Sequence, residues 1–156
     1  MRLLRSLILL TCTAALLYAE VANMSGTWAL NVKRSDWGKK PSPTRVDLVI
    51  EHNEPAFKYH GTSQAPDERG PSTFDFNGRI DEKDYPVKED TGERKARFKR
   101  LSDTTVEGVY TGPGGKTQEV TKTIVSRDGK TLERQVRIKL ADGTVSRWSE
   151  IYEKQK

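Results

Sequence analysis

The sequence predicts an all-β protein, a single antiparallel up-and-down β-barrel of about eight to ten strands. Three observations lead there. Beyond the N-terminal segment, no stretch longer than a turn carries a 3.6-residue apolar period. Short runs of alternating apolar and polar residues recur along the chain, separated by clusters of Gly, Pro, Asn and Asp. Successive hairpins that share one apolar face favour closure, because closure removes exposed strand edges. The chain has 156 residues, enough for one domain around one core.

The clearest stretch runs from Lys130 to Glu153. Leu132, Arg134, Val136, Ile138 and Leu140 alternate with Glu133, Gln135, Arg137 and Lys139, as in a strand with one dry and one wet face. Ala141-Asp142-Gly143 turns the chain, with Gly in the left-handed position that side chains avoid. A three-residue loop sets Val136 opposite Trp148, Leu132 opposite Tyr152 and Arg134 opposite Glu150. A two-residue loop would set Ile138 against Arg147 and put Trp148 on the wet face. Pairing like with like selects the three-residue loop.

Taken in order, the folded part opens at Gly26-Thr27-Trp28, with Trp28, Leu30 and Val32 facing inward. Lys33 to Pro43 is a loop, since Gly38, Pro41 and Pro43 forbid a long helix. Thr44 to His52 returns with Val46, Leu48 and Ile50 in phase; Asn53-Glu54-Pro55 turns the chain, and Phe57, Tyr59 and Gly61 follow. After a polar loop over Ser63 to Ser72, Thr73 to Phe76 is expected as a short strand entering an Asn77-Gly78 turn. Tyr85-Pro86-Val87 is expected as a brief edge piece. Arg94 to Leu101 and Thr104 to Thr111 are further strands. Thr117 to Arg127 is expected to meet the final hairpin through another three-residue loop at Asp128-Gly129. That loop sets Ile124 opposite Leu132, Val120 opposite Val136 and Lys122 opposite Arg134.

Residues 1–19 read as a cleaved signal peptide preceding a domain over 20–156. Arg2 and Arg5 form a positive start, and Ser6 to Ala19 is uncharged, mostly apolar and shorter than the ~20 residues of a membrane helix. Cys12 would leave with that segment, so the mature domain has no cysteine. An exported domain without disulfides points to a bacterial setting, periplasmic or secreted.

The net charge is +5, but acidic and basic residues are interleaved and no nucleic-acid motif accompanies them. Nucleic acid is therefore not an expected partner. His52 and His60 fall at different heights of their hairpin, and no Cys, His or carboxylate set has the spacing of a metal site. No catalytic context such as Gly-x-Ser-x-Gly occurs. No cofactor, no metal and no catalytic residue are expected. The acidic residues Asp81, Glu82, Asp84, Glu89 and Asp90 read as a solvated surface.

Gly26-Thr27-Trp28 followed by Leu30 resembles the opening Gly-x-Trp of the calycin barrels, the lipocalins and fatty-acid-binding proteins. Together with the tract from Ser25 to Pro43, Tyr85-Pro86-Val87, Asp128 to Thr131 and the terminal Ile151-Tyr152-Glu153-Lys154-Gln155, it resembles small exported bacterial lipocalin-like proteins. The resemblance implies a small barrel with an internal cavity. The sequence departs from it in lacking a second Thr-Asp-Tyr lipocalin motif. Its first loop is too short for the helical lid of the fatty-acid binders. Where those proteins end with an inward Arg-x-Tyr, this chain has Glu150-Ile151-Tyr152.

The candidate ligand-binding residues are Trp28, Lys122, Arg134, Trp148, Glu150 and Tyr152. Charges on an apolar face must be paired, so Lys122, Arg134 and Glu150 form either an internal ion network or a surplus-positive site for an acidic headgroup. Trp28 is expected to close the barrel floor with a long cation on its rim, an arginine whose position the sequence does not give, and Trp37 to stand exposed at a cavity mouth or against a partner, or to pin its loop. The leading expectation is non-catalytic binding of a small apolar or amphiphilic ligand, acidic ones included. The alternative is an envelope module that binds protein or glycan, with a side-chain-filled barrel. An enzyme using Arg134 or a histidine comes third. A cavity above about 300 Å³ lined by Lys122, Arg134, Trp148 and Tyr152 would favour the first reading and a packed interior the second.

Overall fold

The computed structural model describes residues 21–156 apart from 68, 91 and 116, so the expected signal peptide lies outside the described residues. Ten antiparallel strands close on themselves: β1 (Gly26–Leu30), β2 (Arg45–Asn53), β3 (Ala56–Gln64), β4 (Ser72–Arg79), β5 (Tyr85–Glu89), β6 (Gly92–Ser102), β7 (Thr105–Thr111), β8 (Gln118–Val125), β9 (Thr131–Lys139) and β10 (Val145–Lys154). Each strand pairs with the next in sequence, and β1 pairs with β10 to complete the ring. Among the described residues the only helical stretch is a single 3-10 turn, Pro113–Gly115.

The C-terminal hairpin has the register set by its three-residue loop: Val136 opposite Trp148, Arg134 opposite Glu150, Leu132 opposite Tyr152. Leu140 and Thr144 close the loop through a backbone hydrogen bond of 2.9 Å, and Gly143 takes φ +85°.

The preceding hairpin differs from expectation by one residue. The Ser126 N–H donates to the Thr131 carbonyl, which leaves four residues, Arg127 to Lys130, in the loop. Thr121 therefore lies opposite Val136, Thr123 opposite Arg134 and Val125 opposite Leu132. The extra residue reverses the whole strand. Glu119, Thr121 and Val125 are buried, while Lys122 is exposed on the outer face opposite Gln135.

Two smaller corrections concern β4 and β5. Asn77 and Gly78 do not turn the chain; they lie inside β4, opposite Lys58 and Phe57. The rings of Phe76 and Tyr85 occupy the space a side chain at position 78 would need, so Gly78 serves packing rather than a turn. Tyr85–Glu89 is not an edge, since β5 pairs with β4 on one side and β6 on the other.

The core lies at one end of the barrel. Phe57, Tyr59, Phe76 and Phe98 pack ring to ring, with Phe57 and Phe98 centroids 5.1 Å apart and nearly perpendicular. Residues 21–25 cross this closed end. The Ala22 N–H donates to the Asp103 carbonyl, and the Met24 N–H donates to His52 Nδ1 at 3.2 Å. Trp28 is fully buried beneath them, its Nε1–H donating to the Met24 carbonyl at 3.0 Å. The cation on its rim is a lysine rather than the arginine expected: Lys154, with Nζ 5.4 Å from the indole centroid.

Candidate functional site

The opposite end is open and leads into the lumen. The loop between β1 and β2 runs alongside β10 before it crosses this mouth. Asp36 and Ser149 exchange backbone hydrogen bonds of 2.9 and 2.8 Å, and Ser35 Oγ accepts from the Ile151 N–H at 2.9 Å. Among the described residues no helical lid forms. Instead Trp37 and Lys40 are carried over the opening.

Below them is a chamber of about 220 Å³. It shares Lys40, Phe74, Arg134, Glu150 and Tyr152 with a pocket of about 380 Å³ at the mouth. The barrel is thus neither filled by its own side chains nor, in its inner chamber alone, as large as the 300 Å³ expected of a drug-sized site. One wall of the chamber is apolar, from Leu48, Ile50, Phe57, Phe74, Phe98 and Leu132.

The other wall is a chain of charge built from six successive strands, one residue from each. Glu89, Arg94, Tyr110, Glu119, Arg134 and Glu150 come from β5 through β10 in that order. Arg94 Nε and Nη2 donate to Glu89 Oε1 at 2.8 and 2.6 Å, and Arg94 Nη1 donates to Glu119 at 3.1 Å. Arg134 Nη2 donates to the other Glu119 oxygen, while its Nη1 donates to both Glu150 oxygens at 3.2 and 3.1 Å. The Tyr110 ring lies under both guanidinium groups, 5.1 Å from Arg94 and 5.9 Å from Arg134. Alternating signs in one row give each of its charged members an opposite partner.

Glu150 is the most heavily bonded member. Trp148 Nε1–H donates to it at 2.6 Å and the Tyr152 hydroxyl at 2.8 Å. Burial pushes its carboxyl pKa up, but Arg134, Trp148 and Tyr152 outweigh that and hold it below the ordinary glutamate value. Burial likewise works to lower the Arg134 pKa, and Glu150 with Glu119 holds the guanidinium well above its usual value. Burial raises the pKa of Tyr59, Tyr110 and Tyr152, so these hydroxyls stay protonated; Tyr59 donates to Tyr110 at 3.2 Å. Lys40 is exposed as a whole, yet its ammonium sits 4.2 Å from the Trp148 ring centroid and 5.7 Å from that of Trp37. Burial of the amine lowers its pKa, and Glu150 and Glu119 oppose that.

Of the six sequence-derived candidates, Arg134, Trp148, Glu150 and Tyr152 come together on the chamber wall. Trp28 stands apart from that lining, in the closed floor. Lys122 lies outside the barrel because of the one-residue slip in β8, and the surplus of positive charge expected from it is gone. Among the lining residues three carboxylates, Glu89, Glu119 and Glu150, face two guanidiniums, with Lys40 as the third cation. Trp37 is half-buried rather than exposed, and its Nε1–H is buried without an acceptor among the described residues. Arg94, Glu119 and Glu89 were missed because their charge marked them as surface. For Arg94 a signal existed: it is two residues before Ala96 and four before Phe98, in phase with the dry face of β6. Lys40 carried no sequence signal, since no periodicity governs a loop.

No family model and no curated protein matches the sequence. Solved structures do match the fold. A Schistosoma mansoni fatty acid binding protein in complex with arachidonic acid superposes with a TM-score of 0.59 at 13% identity, covering 88% of this chain and all of that one. Rv2717c from M. tuberculosis superposes with a TM-score of 0.51 at 14% identity, covering 85% of this chain and 93% of that one. At such identities the likeness speaks for architecture, and the architecture is that of the fatty-acid-binding-protein-like calycin barrel.

Proposed function

We propose that this barrel is a non-catalytic binder of a small amphiphilic molecule, held with its apolar part against Leu48, Ile50, Phe57 and Phe98 and its polar end toward Arg134 and Glu150. The observation that carries the reading is the open chamber with one apolar and one charged wall. At ~30 Å³ for each water-sized group, the inner chamber holds roughly seven such groups, and a longer ligand would reach into the mouth pocket. Binding is favoured over turnover because the ionised wall groups are committed to one another. None stands free as a base beside a nucleophile. What speaks against the alternative of a side-chain-filled interaction module is that the inner chamber continues into the mouth pocket through shared lining residues. We further propose that residues 1–19 direct export and are removed, which N-terminal sequencing of the protein from its own source would test.

Native mass spectrometry of that same material is the direct experiment on binding. A retained mass of a few hundred daltons, lost on denaturation, is expected. An empty protein that also fails to take up a neutral fluorescent apolar probe at millimolar concentration would overturn the reading.

A further inference from the structure

The row Glu89, Arg94, Glu119, Arg134, Glu150 begins and ends on a carboxylate, so it carries one negative charge more than positive. The ammonium of Lys40 supplies the balance. It does so without an ion-pair contact, for among the described residues no salt bridge includes Lys40. Its Nζ rests over the Trp148 ring at 4.2 Å and over that of Trp37 at 5.7 Å. Trp148 in turn donates to Glu150 at 2.6 Å, which places the aromatic face and the negative end of the row in one corner. The mouth pocket adds another acid, Asp67. Aromatic faces beside a carboxylate form a cage for an alkylammonium group, and here a loop side chain occupies it.

Resting on the binding reading above, we propose that the mouth of the barrel recognises an organic ammonium head. The ligand class is an amphiphilic amine whose nitrogen takes the place of the Lys40 ammonium beside Trp37 and Trp148 while its tail enters the apolar chamber. Lys40 is then a tethered competitor, and it sets how tightly such a ligand is held. An acidic amphiphile meets the opposite situation. Its carboxylate would approach Glu150 and Asp67, and the guanidiniums that could receive it are already bonded to carboxylates on both sides.

The test compares n-octylammonium, 1-octanol and octanoate by calorimetry on the wild-type protein and on Lys40→Met. Thermal melts of both proteins check that the loop substitution leaves the barrel folded. The wild type is expected to bind octylammonium more tightly than octanoate. Lys40→Met should tighten octylammonium about tenfold, leave octanol within about threefold and weaken octanoate further. A second variant, Trp148→Leu, should lose about tenfold in octylammonium affinity. If octanol binds but the ammonium shows no advantage over octanoate, or no gain in Lys40→Met, the cation proposal fails and the binding reading survives. If none of the three binds either protein, both fail.

Discussion

Arg134 and Glu150 face one another across β9 and β10, and a single guanidinium nitrogen donates to both oxygens of the carboxylate at 3.2 and 3.1 Å. The same arginine reaches Glu119 with its second nitrogen, so it joins two carboxylates that are both buried. Removing Arg134 leaves both without their principal partner. Arg134→Met is expected to cost about 3–5 kcal/mol, the range for breaking a buried pair by losing one member. Urea denaturation measures it, and a loss below about 1 kcal/mol would show the row to be loosely solvated.

Glu150 makes a pH prediction of definite sign. Its folded pKa is depressed below the ordinary value of 4.5, so unfolding takes up protons in acid. The stabilisation is complete above the unfolded value and is lost as pH falls through the lower folded one. Denaturation midpoints should therefore drop below about pH 4.5, and Glu150→Gln should show a smaller drop over that range.

The register of β8 separates Lys122 from Arg94. Lys122 is exposed on the outer wall, so Lys122→Ala should change stability by less than about 0.5 kcal/mol and leave ligand uptake alone. Arg94 bridges Glu89 and Glu119 inside, and Arg94→Ala should cost about 2–3 kcal/mol. The reverse ranking would restore the three-residue loop.

These two residues also show how much of the molecule was legible in sequence. The β9–β10 register was readable because Gly143 fixes the loop and one choice of pairing places like against like. The β8–β9 register was not. Asp128-Gly129 suits a loop of three or four residues, and the apolar Val120 and Ile124 point outward while Thr121 and Thr123 point in. Hydrophobic alternation misleads on a strand whose inner face serves a polar wall. Arg94 was hidden for the same reason. Its position was correct for the interior, but its charge argued for solvent until Glu89 and Glu119 could be seen beside it.

Trp28 and Trp148 should separate as optical probes. Trp28 is buried in the floor, whereas Trp148 lines the chamber. Trp28→Phe should lower stability while keeping the ligand-induced fluorescence change, and Trp148→Phe with Trp37→Phe should together abolish most of that change, Trp37 lining the mouth. Signal retained when both are replaced would move the ligand elsewhere.

His52 is a second acid-sensitive point, at the closed end. Its Nδ1 accepts from the Met24 N–H, which requires a neutral ring. Burial lowers its pKa from 6.5, and Arg100 helps to keep it low, while the hydrogen bond to Glu54 opposes that shift. The stabilisation is present above the unfolded value of 6.5 and is lost as pH falls below it. Proteolysis of residues 21–25 should quicken below about pH 6 and lose its pH dependence in His52→Asn, whose side-chain oxygen still accepts. Uniform protection down to acid would exclude this role.

The pairing of β1 with β10 has a consequence for how the molecule is made. Gly26–Leu30 has β2 as a near neighbour in sequence, but its second partner, Val145–Lys154, is the last strand, so two raw sheet margins persist until the ring closes. Contacts this distant in sequence come late and slowly. Until then the dense scatter of Lys, Arg, Asp and Glu along the chain is what discourages those margins from sticking to a neighbour.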